Sequence, residues 1–310
     1  MKKVVVDITY AFFNKKWRFA MKKLLYSFLS IITIASFLPI QASAQGEFEG
    51  EKVTIGLASS NAYDYWDVVV ENALEQEGIE IELVLFSDYN QPNEALQNGS
   101  LDLNATQGYP FLFSWNEENN GTITPIGNTL ITPLGLYSDK HTSVEDIPDG
   151  GIIAIPNDPS TYGRALQALE IAGLIDVDEA AGIFPEEKDI LDNPKDLQFE
   201  LLDPAMAAVV LQDVDAAIIN TGFASDAGLK VSDAIFADAH NLDNVNPMYI
   251  NVIAAREEDK DNPLYLKIVE LFQTDEIAEI IKESSDGSLI PVFREYDVDI
   301  ENQTVTEVAE

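Results

Sequence analysis

The sequence has 310 residues, no cysteine and a formal net charge of −36, with 54 acidic and 18 basic side chains. The absence of cysteine excludes disulfides, thiol catalysis and thiolate metal sites. The negative charge argues against binding to nucleic acid or anionic lipid, because like charges repel. The acids match no calcium-loop pattern, so we expect no metal site.

Residues 1–44 have the pattern of an N-terminal extension followed by a secretory signal peptide. The core, Met21–Ala44, has two lysines, an apolar run too short to span a membrane, and the small-residue triplet Ala42-Ser43-Ala44. We predict cleavage after Ala44 and a periplasmic or otherwise extracytoplasmic protein. Because residues 21–45 contain no cysteine, we also predict that no lipid-anchor cysteine is present. An uncleaved N-terminal anchor is the alternative.

Downstream of this region, apolar patterns of period two and period 3.6 alternate along the chain. They predict strands at residues 53–57, 79–86, 101–103, 151–155, 199–202, 216–219 and 249–255. They predict helices at residues 65–74, 92–98, 160–172, 203–212, 264–272 and 277–281, and a further helix from residue 110. The last residues, from 297, are acidic and poor in large apolar groups, so we expect a loose tail. This alternation predicts an α/β protein with mainly parallel sheets.

Basic side chains are rare, and Arg164 stands out among them. We predict that it lies in the first turn of a helix capped by Ser160, directly after the strand at 151–155. A helix N-terminus disfavours an unpaired cation, so an anionic partner is expected. That partner is either a ligand carboxylate, which fits the arginine fork, or one of the many acidic side chains.

Two asparagines lie at or inside apolar strands. Asn220 ends the predicted strand "AAIIN", and ligands of open α/β sheets bind beyond the carboxyl ends of strands. Asn251 lies early in "YINVIAA", where its amide must find hydrogen-bond partners. A structural role in a turn is the alternative, especially for Asn220.

Motifs that carry catalysis are absent from the sequence. There is no nucleophile elbow, Walker A loop or dinucleotide fingerprint, and the two histidines, His141 and His240, fit no metal-ligand spacing. We therefore predict that the protein is not an enzyme and has no cofactor.

Several segments together resemble the NlpA-type family of methionine-binding proteins, the substrate-binding components of methionine ABC importers. They include "FSDYNQPNEALQNGSLDLNATQGYPFL", "PNDPSTYGRALQALEIAGLI", "AAIINTGFAS" and "YINVIAAREEDKDNP", in this order, and the likeness runs from about Lys52 to Phe293. The resemblance implies a two-lobe periplasmic-binding-protein fold (type II-like), each lobe a mainly parallel sheet flanked by helices. It places residues 45–131 and 247–295 in lobe 1 and residues 132–246 in lobe 2. From composition, we expect residues 296–310 to form an acidic C-terminal tail.

The resemblance also implies a ligand site in the cleft between the lobes. Arg164 would bind the carboxylate of an amino acid, and Asn220 and Asn251 would hydrogen-bond its carboxylate and amino group. Tyr89 would form an aromatic wall for the side chain.

Three pocket positions depart from the family pattern. Thr106 stands where methionine binders have an aromatic residue, Gly108 where they have histidine, and Phe111 where they have tyrosine. We expect these changes to enlarge the pocket and to remove a polar contact, with Tyr109 or Trp66 filling space if methionine binds. Drift in a tolerant pocket is the other interpretation.

The predicted function is the capture of methionine or a closely related amino acid by lobe closure, followed by delivery to an ABC permease in the membrane. A methionine-containing dipeptide or another apolar amino acid is the alternative ligand. An enzyme or a surface interaction protein on the same fold is the alternative class. We expect a monomer.

Overall fold

The computed structural model describes residues 46–238 and 246–308, and the predicted signal peptide lies outside them. Within the described residues, two larger sheets form, one of six strands and one of five. We refer to the six-stranded sheet with its helices as lobe 1 and to the five-stranded sheet with its helices as lobe 2.

The lobe 1 sheet combines strands from both ends of the described chain. Its spatial order is β13-β4-β12-β3-β1-β2, and β12 is antiparallel to both of its neighbours. The strands are β1 (Lys52–Leu57), β2 (Glu80–Leu85), β3 (Leu103–Gly108), β4 (Ile123–Ile131), β12 (Ile250–Arg256) and β13 (Ile290–Pro291).

Helices cover both faces of the lobe 1 sheet. They are α1 (Tyr63–Glu77), α2 (Asn90–Gln97), α3 (Tyr109–Asn119), α6 (Pro263–Phe272) and α7 (Asp275–Ser284). One core packs α1, α6 and α7 around Trp66 and Phe272, and a second packs α2 and α3 around Leu112 and Phe113. The helical spacing predicts one apolar face formed by Trp66, Val69, Val70, Ala73 and Leu74. Trp66, Val69 and Ala73 are buried, whereas Leu74 is 56% exposed.

The lobe 2 sheet has the order β11-β5-β10-β6-β9. Its strands β10, β6 and β9 are parallel, whereas β5 is antiparallel to β10 and to β11. The elements are β5 (Leu134–Tyr137), β6 (Ile152–Pro156), α4 (Pro159–Ile171), β7 (Asp176–Val177), β8 (Ile190–Asp192), β9 (Gln198–Leu202), β10 (Ala216–Asn220), α5 (Thr221–Asp226) and β11 (Phe236–Ala237). Together the two sheets and their helices give the predicted two-lobe α/β fold.

The start of strand β3 differs from the prediction. A strand was expected only at residues 101–103, followed by a polar interruption, but β3 runs from Leu103 to Gly108. Its polar residues are tolerated because Asn104 and Gln107 both hydrogen-bond to the buried Asn93, at 2.7 and 2.8 Å. Buried polar groups that satisfy one another can continue a strand whose apolar pattern is lost.

Helix α4 begins earlier than predicted. Asp158, not Ser160, is its N-cap, and the Asp158 carboxylate accepts a 2.8 Å hydrogen bond from the Thr161 N–H. Pro159 occupies the first helical position, which suits proline because no N–H is needed there. Arg164 therefore lies in the second turn, beyond the unpaired N–H groups of the helix end.

The helix predicted at residues 203–212 is absent. Only a 3-10 turn, Pro204–Met206, forms there, and further turns follow it. Met206 and Val209 are largely exposed, so an amphipathic helix would gain little burial at these positions.

The prediction of a loose C-terminal tail is wrong for residues 296–307. They form a β-hairpin of β14 (Tyr296–Asp299) and β15 (Thr304–Glu307). Val305 is buried in the core that also holds Trp115 and Met248. A few apolar side chains on one face thus suffice to attach an otherwise acidic segment.

None of the helices in the described ranges combines the length and the apolar character needed to cross a membrane.

Candidate functional site

A cavity of about 130 Å³ lies between the two lobes. It is lined by residues that follow the carboxyl ends of β1 and β10, by the end of β3, and by the start of the antiparallel strand β12. Ligands of α/β sheets bind at such edges. The volume is of the order of the roughly 150 Å³ cavities that hold one small apolar molecule.

All seven residues predicted for the site line this cavity. They are Tyr89, Thr106, Gly108, Phe111, Arg164, Asn220 and Asn251. Their convergence is an observation about geometry, and their roles toward a ligand stay predictions.

The Arg164 guanidinium is fixed by an acidic partner. Its Nε and Nη2 donate to the two carboxylate oxygens of Asp238, at 2.6 and 2.9 Å, and Nη2 also donates to the Thr132 carbonyl at 2.9 Å. The guanidinium carbon lies 4.4 Å from the centroid of the Tyr249 ring. Because the Arg164 and Asp238 side chains are only 14% and 7% exposed, this pair is shielded from water. The salt bridge left open by the sequence is therefore present, and within the described residues Nη1 has no hydrogen-bond partner.

The two asparagines face the same cavity from different lobes. Asn220 ends β10, and its Oδ1 is buried without a partner in the described chain. Asn251 lies in β12 opposite Gly108 of β3. A Cβ atom on Gly108 would lie 3.2 Å from both Asn251 Oδ1 and the Ile250 carbonyl oxygen. A side chain at position 108 would therefore press on Asn251, so the absence of one does more than enlarge the pocket.

An aromatic cluster closes one side of the cavity. The Tyr89 ring lies 6.0 Å from Phe111 and 5.1 Å from Phe223, measured between ring centroids. Tyr89 and Phe111 belong to lobe 1 and Phe223 to lobe 2, so the cluster bridges the lobes. Burial raises the pKa of Tyr89, which keeps its hydroxyl protonated and able to donate a hydrogen bond.

Thr106 contributes the other polar atom that lacks a partner at this cavity. Its hydroxyl oxygen is buried and has no hydrogen-bond partner in the described residues. Its backbone N–H donates to Asn104 Oδ1 at 2.9 Å.

Apolar side chains line another part of the wall: Ala62, Trp66, Phe272 and Leu289. The expectation that Trp66 fills space there is consistent with its place on the wall, where it packs 4.8 Å from Phe272. Tyr109 does not line the cavity, because its hydroxyl donates to Asn128 and its ring is buried in the core of α3.

Polar contacts join the lobes outside the cavity. The Ser60 N–H and hydroxyl donate to Asp226, and Lys230 lies 3.1 Å from Asp286. A Cβ atom on Gly222 of lobe 2 would lie 2.9 Å from Ser59 Cβ of lobe 1.

Sequence reasoning missed Asp238, Tyr249 and Phe223. Tyr249 could have been found, because the predicted strand at residues 249–255 puts it two positions before Asn251 and so on the same face. In the structure it ends a 3-10 turn, Pro247–Tyr249, directly before β12. Phe223 follows Asn220 by one helical turn. No local pattern marks Asp238, which meets Arg164 only because β11 returns to the edge of the lobe 2 sheet.

Two α/β lobes with a small-molecule cavity between them define the class of periplasmic substrate-binding proteins. The model of the NlpA lipoprotein family matches residues 53–293, and the chain belongs to this family. The chain is 36% identical over 240 residues to a protein named "Probable D-methionine-binding lipoprotein MetQ" from Pasteurella multocida, covering 77% of this chain and 85% of that protein.

Two solved structures are similar as well. A nutrient-binding protein from Burkholderia cenocepacia bound to methionine is 39% identical, with a TM-score of 0.72, covering 78% of this chain and 100% of that one. The substrate-binding protein of a methionine transporter from Streptococcus pneumoniae is 36% identical, with a TM-score of 0.72, covering 78% and 96%.

These comparisons correct the predicted localisation. We predicted an extracytoplasmic protein without a lipid-anchor cysteine, but the family and the relative from Pasteurella multocida are both named lipoproteins. These names point to lipid-anchored extracytoplasmic proteins among the relatives and conflict with the prediction. The prediction used the absence of one residue type near a cleavage pattern, and this does not determine how a chain is attached to a membrane.

Proposed function

We propose that this protein binds methionine or a closely related amino acid between its lobes and delivers it to the permease of an ABC importer, without catalysing a reaction. One observation carries the proposal: the interlobe cavity brings together Arg164, Asn220 and Asn251 around a space of small-molecule size. The names of the similar proteins support methionine as the ligand and a transporter as the partner.

Arg164 is proposed to bind the ligand carboxylate. Asp238 engages Nε and Nη2, which orients the planar guanidinium and directs Nη1 away from the ion pair. A ligand carboxylate at Nη1 would share the arginine with Asp238 without displacing it. Asp238 is then a positioning residue.

The α-ammonium group is proposed to donate to Asn220. Asn220 Oδ1 is a hydrogen-bond acceptor only, and it is buried without a partner in the described residues. A ligand N–H would satisfy it. Asn251 lies on the opposite lobe and would hold the same amino-acid group from that side.

Lobe closure is supported by the contacts that surround the cavity. The Tyr89–Phe223 ring contact and the Ser60–Asp226 hydrogen bonds join lobe 1 to lobe 2. A ligand bonded to Arg164 and Asn220 on lobe 2 and to Asn251 on lobe 1 would stabilise this arrangement over one with the lobes apart.

A thermal-shift panel tests the proposal directly. Purified protein is heated with each enantiomer of methionine, with other amino acids and with methionine-containing dipeptides. Methionine at about 100 times its Kd should stabilise the protein by about 2.7 kcal/mol. The Arg164→Ala variant, which should not respond, is the control. If no member of the panel raises Tm, solute binding is wrong; if only a ligand without sulfur does so, the methionine assignment is wrong.

A further inference from the structure

The Thr106 hydroxyl is a buried polar group at the cavity with nothing to bind. Four buried side-chain atoms in the described residues lack a partner, and only those of Thr106 and Asn220 belong to residues that line the interlobe cavity. Asn220 has a proposed partner in the ligand ammonium. Thr106 has none, and buried polar groups in native proteins are paired with few exceptions.

The surrounding structure keeps Thr106 in this position. Its backbone N–H is bonded to Asn104 Oδ1, and the Asn104 amide donates to Asn93 at 2.7 Å. Asn93 also bonds Gln107, the residue after Thr106. Because this buried network fixes the strand on both sides of Thr106, the strand cannot shift to offer the hydroxyl a protein partner.

Part of the wall on the lobe 1 side is apolar, and the polar lobe 1 residues that line the cavity make no hydrogen bond to the Thr106 hydroxyl. Ala62, Trp66, Phe272 and Leu289 offer no hydrogen-bond acceptor to Thr106, apart from their backbone. A methionine-type side chain carries no donor, so toward such a ligand the hydroxyl must donate. A thioether sulfur is a weak acceptor and an oxygen a strong one.

We propose that Thr106 is a specificity-determining residue that donates a hydrogen bond to an acceptor on the ligand side chain, and that methionine sulfoxide is bound in preference to side chains lacking an acceptor. This inference rests on the proposed function, because it takes the α-amino-acid group to be held by Arg164 and Asn220. The sulfoxide oxygen supplies the acceptor that the buried hydroxyl lacks.

Titration calorimetry with three side chains of similar length tests the proposal. The ligands are methionine, norleucine, which replaces sulfur by a methylene group, and each epimer of methionine sulfoxide. The wild-type protein should bind one sulfoxide epimer at least about tenfold more tightly than norleucine, as expected for a hydrogen bond to a buried group. Thr106→Val keeps the shape and removes the hydroxyl, so this ratio should fall by about tenfold while norleucine binds as well or better.

Two further variants test whether a change in the sulfoxide-to-norleucine affinity ratio could arise from altered folding. Thr106→Ser keeps the hydroxyl and should keep the ratio. Thr124→Val alters a buried threonine of the same sheet that does not line the cavity, and it should leave the ratio unchanged. The melting temperature of each variant is measured alongside.

The outcomes separate this inference from the proposed function. If an amino acid binds but Thr106→Val leaves the sulfoxide-to-norleucine ratio unchanged, or if the wild type does not prefer sulfoxide to norleucine, the role of Thr106 is wrong and the proposed function stands. If no amino acid binds the wild type, both are wrong.

Discussion

The pair of Arg164 and Asp238 shows how one arginine can form a salt bridge and still be available to a ligand carboxylate. The sequence left a ligand carboxylate and a salt bridge as alternatives, and the salt bridge is present. It uses one edge of the guanidinium, so it does not exclude a ligand at the other. A buried ion pair is weak evidence of stability, because desolvation offsets the attraction, and orientation of the fork is its more useful effect.

Arg164→Lys should weaken methionine binding although the charge is kept. A lysine ammonium lacks the fork that contacts Asp238 and a ligand at once, so at least one charge-assisted hydrogen bond is lost. We expect a loss of about 2 kcal/mol, or roughly thirtyfold in Kd, by titration calorimetry. Arg256→Lys is the matched control, because Arg256 bonds Asp259 and two carbonyls outside the cavity. Unchanged affinity in Arg164→Lys would show that the carboxylate binds elsewhere.

Gly108→Ala should reduce affinity by displacing Asn251. The added Cβ would lie 3.2 Å from Asn251 Oδ1, so the amide has to move. Such overpacking costs about 1 kcal/mol or more, and we expect roughly a fivefold loss in affinity. A double-mutant cycle is the check: on an Asn251→Ala background, Gly108→Ala should have little further effect. Equal effects on both backgrounds would contradict the mechanism.

At the residue scale, the seven residues predicted for the site line the cavity, whereas a partner distant in sequence could not be predicted. Asn220 was singled out because it ends a predicted strand, and Asn251 because an asparagine inside an apolar strand needs hydrogen-bond partners. Asp238 lies 74 positions from Arg164, and no local pattern connects them. Tyr109 was placed wrongly, because α3 turns its ring toward the core.

At the scale of elements, the start of α5 makes a close contact between the lobes. Gly222 faces Ser59 with no room for a methyl group, since a Cβ would lie 2.9 Å from Ser59 Cβ. The short helix can approach lobe 1 only because this position is glycine.

Gly222→Ala should therefore hold the lobes apart. We expect faster ligand dissociation and weaker binding, by about tenfold, with little change in the melting temperature of the protein without ligand. Stopped-flow dissociation and calorimetry measure both. Ala227→Ser, at the exposed end of the same helix, should change neither. Normal dissociation from Gly222→Ala would indicate that this contact is not part of the ligand-bound state.

Asp215, directly before β10, contacts β6 and the loop after β5, and it gives this lobe a dependence on pH. Its carboxylate accepts from the Ile152 N–H at 2.8 Å and lies 3.1 Å from His141 Nε2. The backbone hydrogen bond from Ile152 lowers the pKa of Asp215. Because the pKa is lower in the folded than in the unfolded state, the stabilisation is present above the unfolded pKa of about 3.9 and is lost as pH falls through the folded value.

Asp215→Asn should thus destabilise the protein at neutral pH, and the difference from wild type should narrow below about pH 4. Urea unfolding across this pH range measures it. Asp213→Asn, a change at an exposed neighbour, is the control. A difference that persists unchanged into acid would contradict a role for the charge.

The order of elements was largely predictable, whereas β3 and the C-terminal hairpin were not. Alternation of strands and helices predicted an α/β protein, and the two lobes were implied by the family resemblance. Strand β3 contains polar residues that satisfy one another through Asn93, and that pairing is invisible in a local apolar pattern. The hairpin depends on Val305 meeting a core formed by residues far away in the chain.

For the whole molecule, the net charge of −36 is the dominant electrostatic feature. Self-repulsion of this size destabilises a compact state, and salt screens it over about 10 Å at 0.1 M. We expect the melting temperature to rise as sodium chloride is increased from low ionic strength to about 0.5 M. Sodium chloride is chosen because, unlike sulfate, it stabilises proteins little through exclusion from their surface. A flat or falling melting temperature would show that repulsion is already balanced within the fold.

The position of β12 in the sheet and in the chain sets the order in which the two lobes can fold after synthesis. β12 lies between β4 and β3 in the lobe 1 sheet, yet it follows the whole of lobe 2 in the chain. A growing or translocating chain that has exposed only its first half therefore has a lobe 1 sheet with its centre missing. Lobe 2 is continuous and can fold as soon as it emerges. Lobe 1 has to stay open until the last quarter of the protein arrives, and during that interval its unpaired strand edges need protection from aggregation.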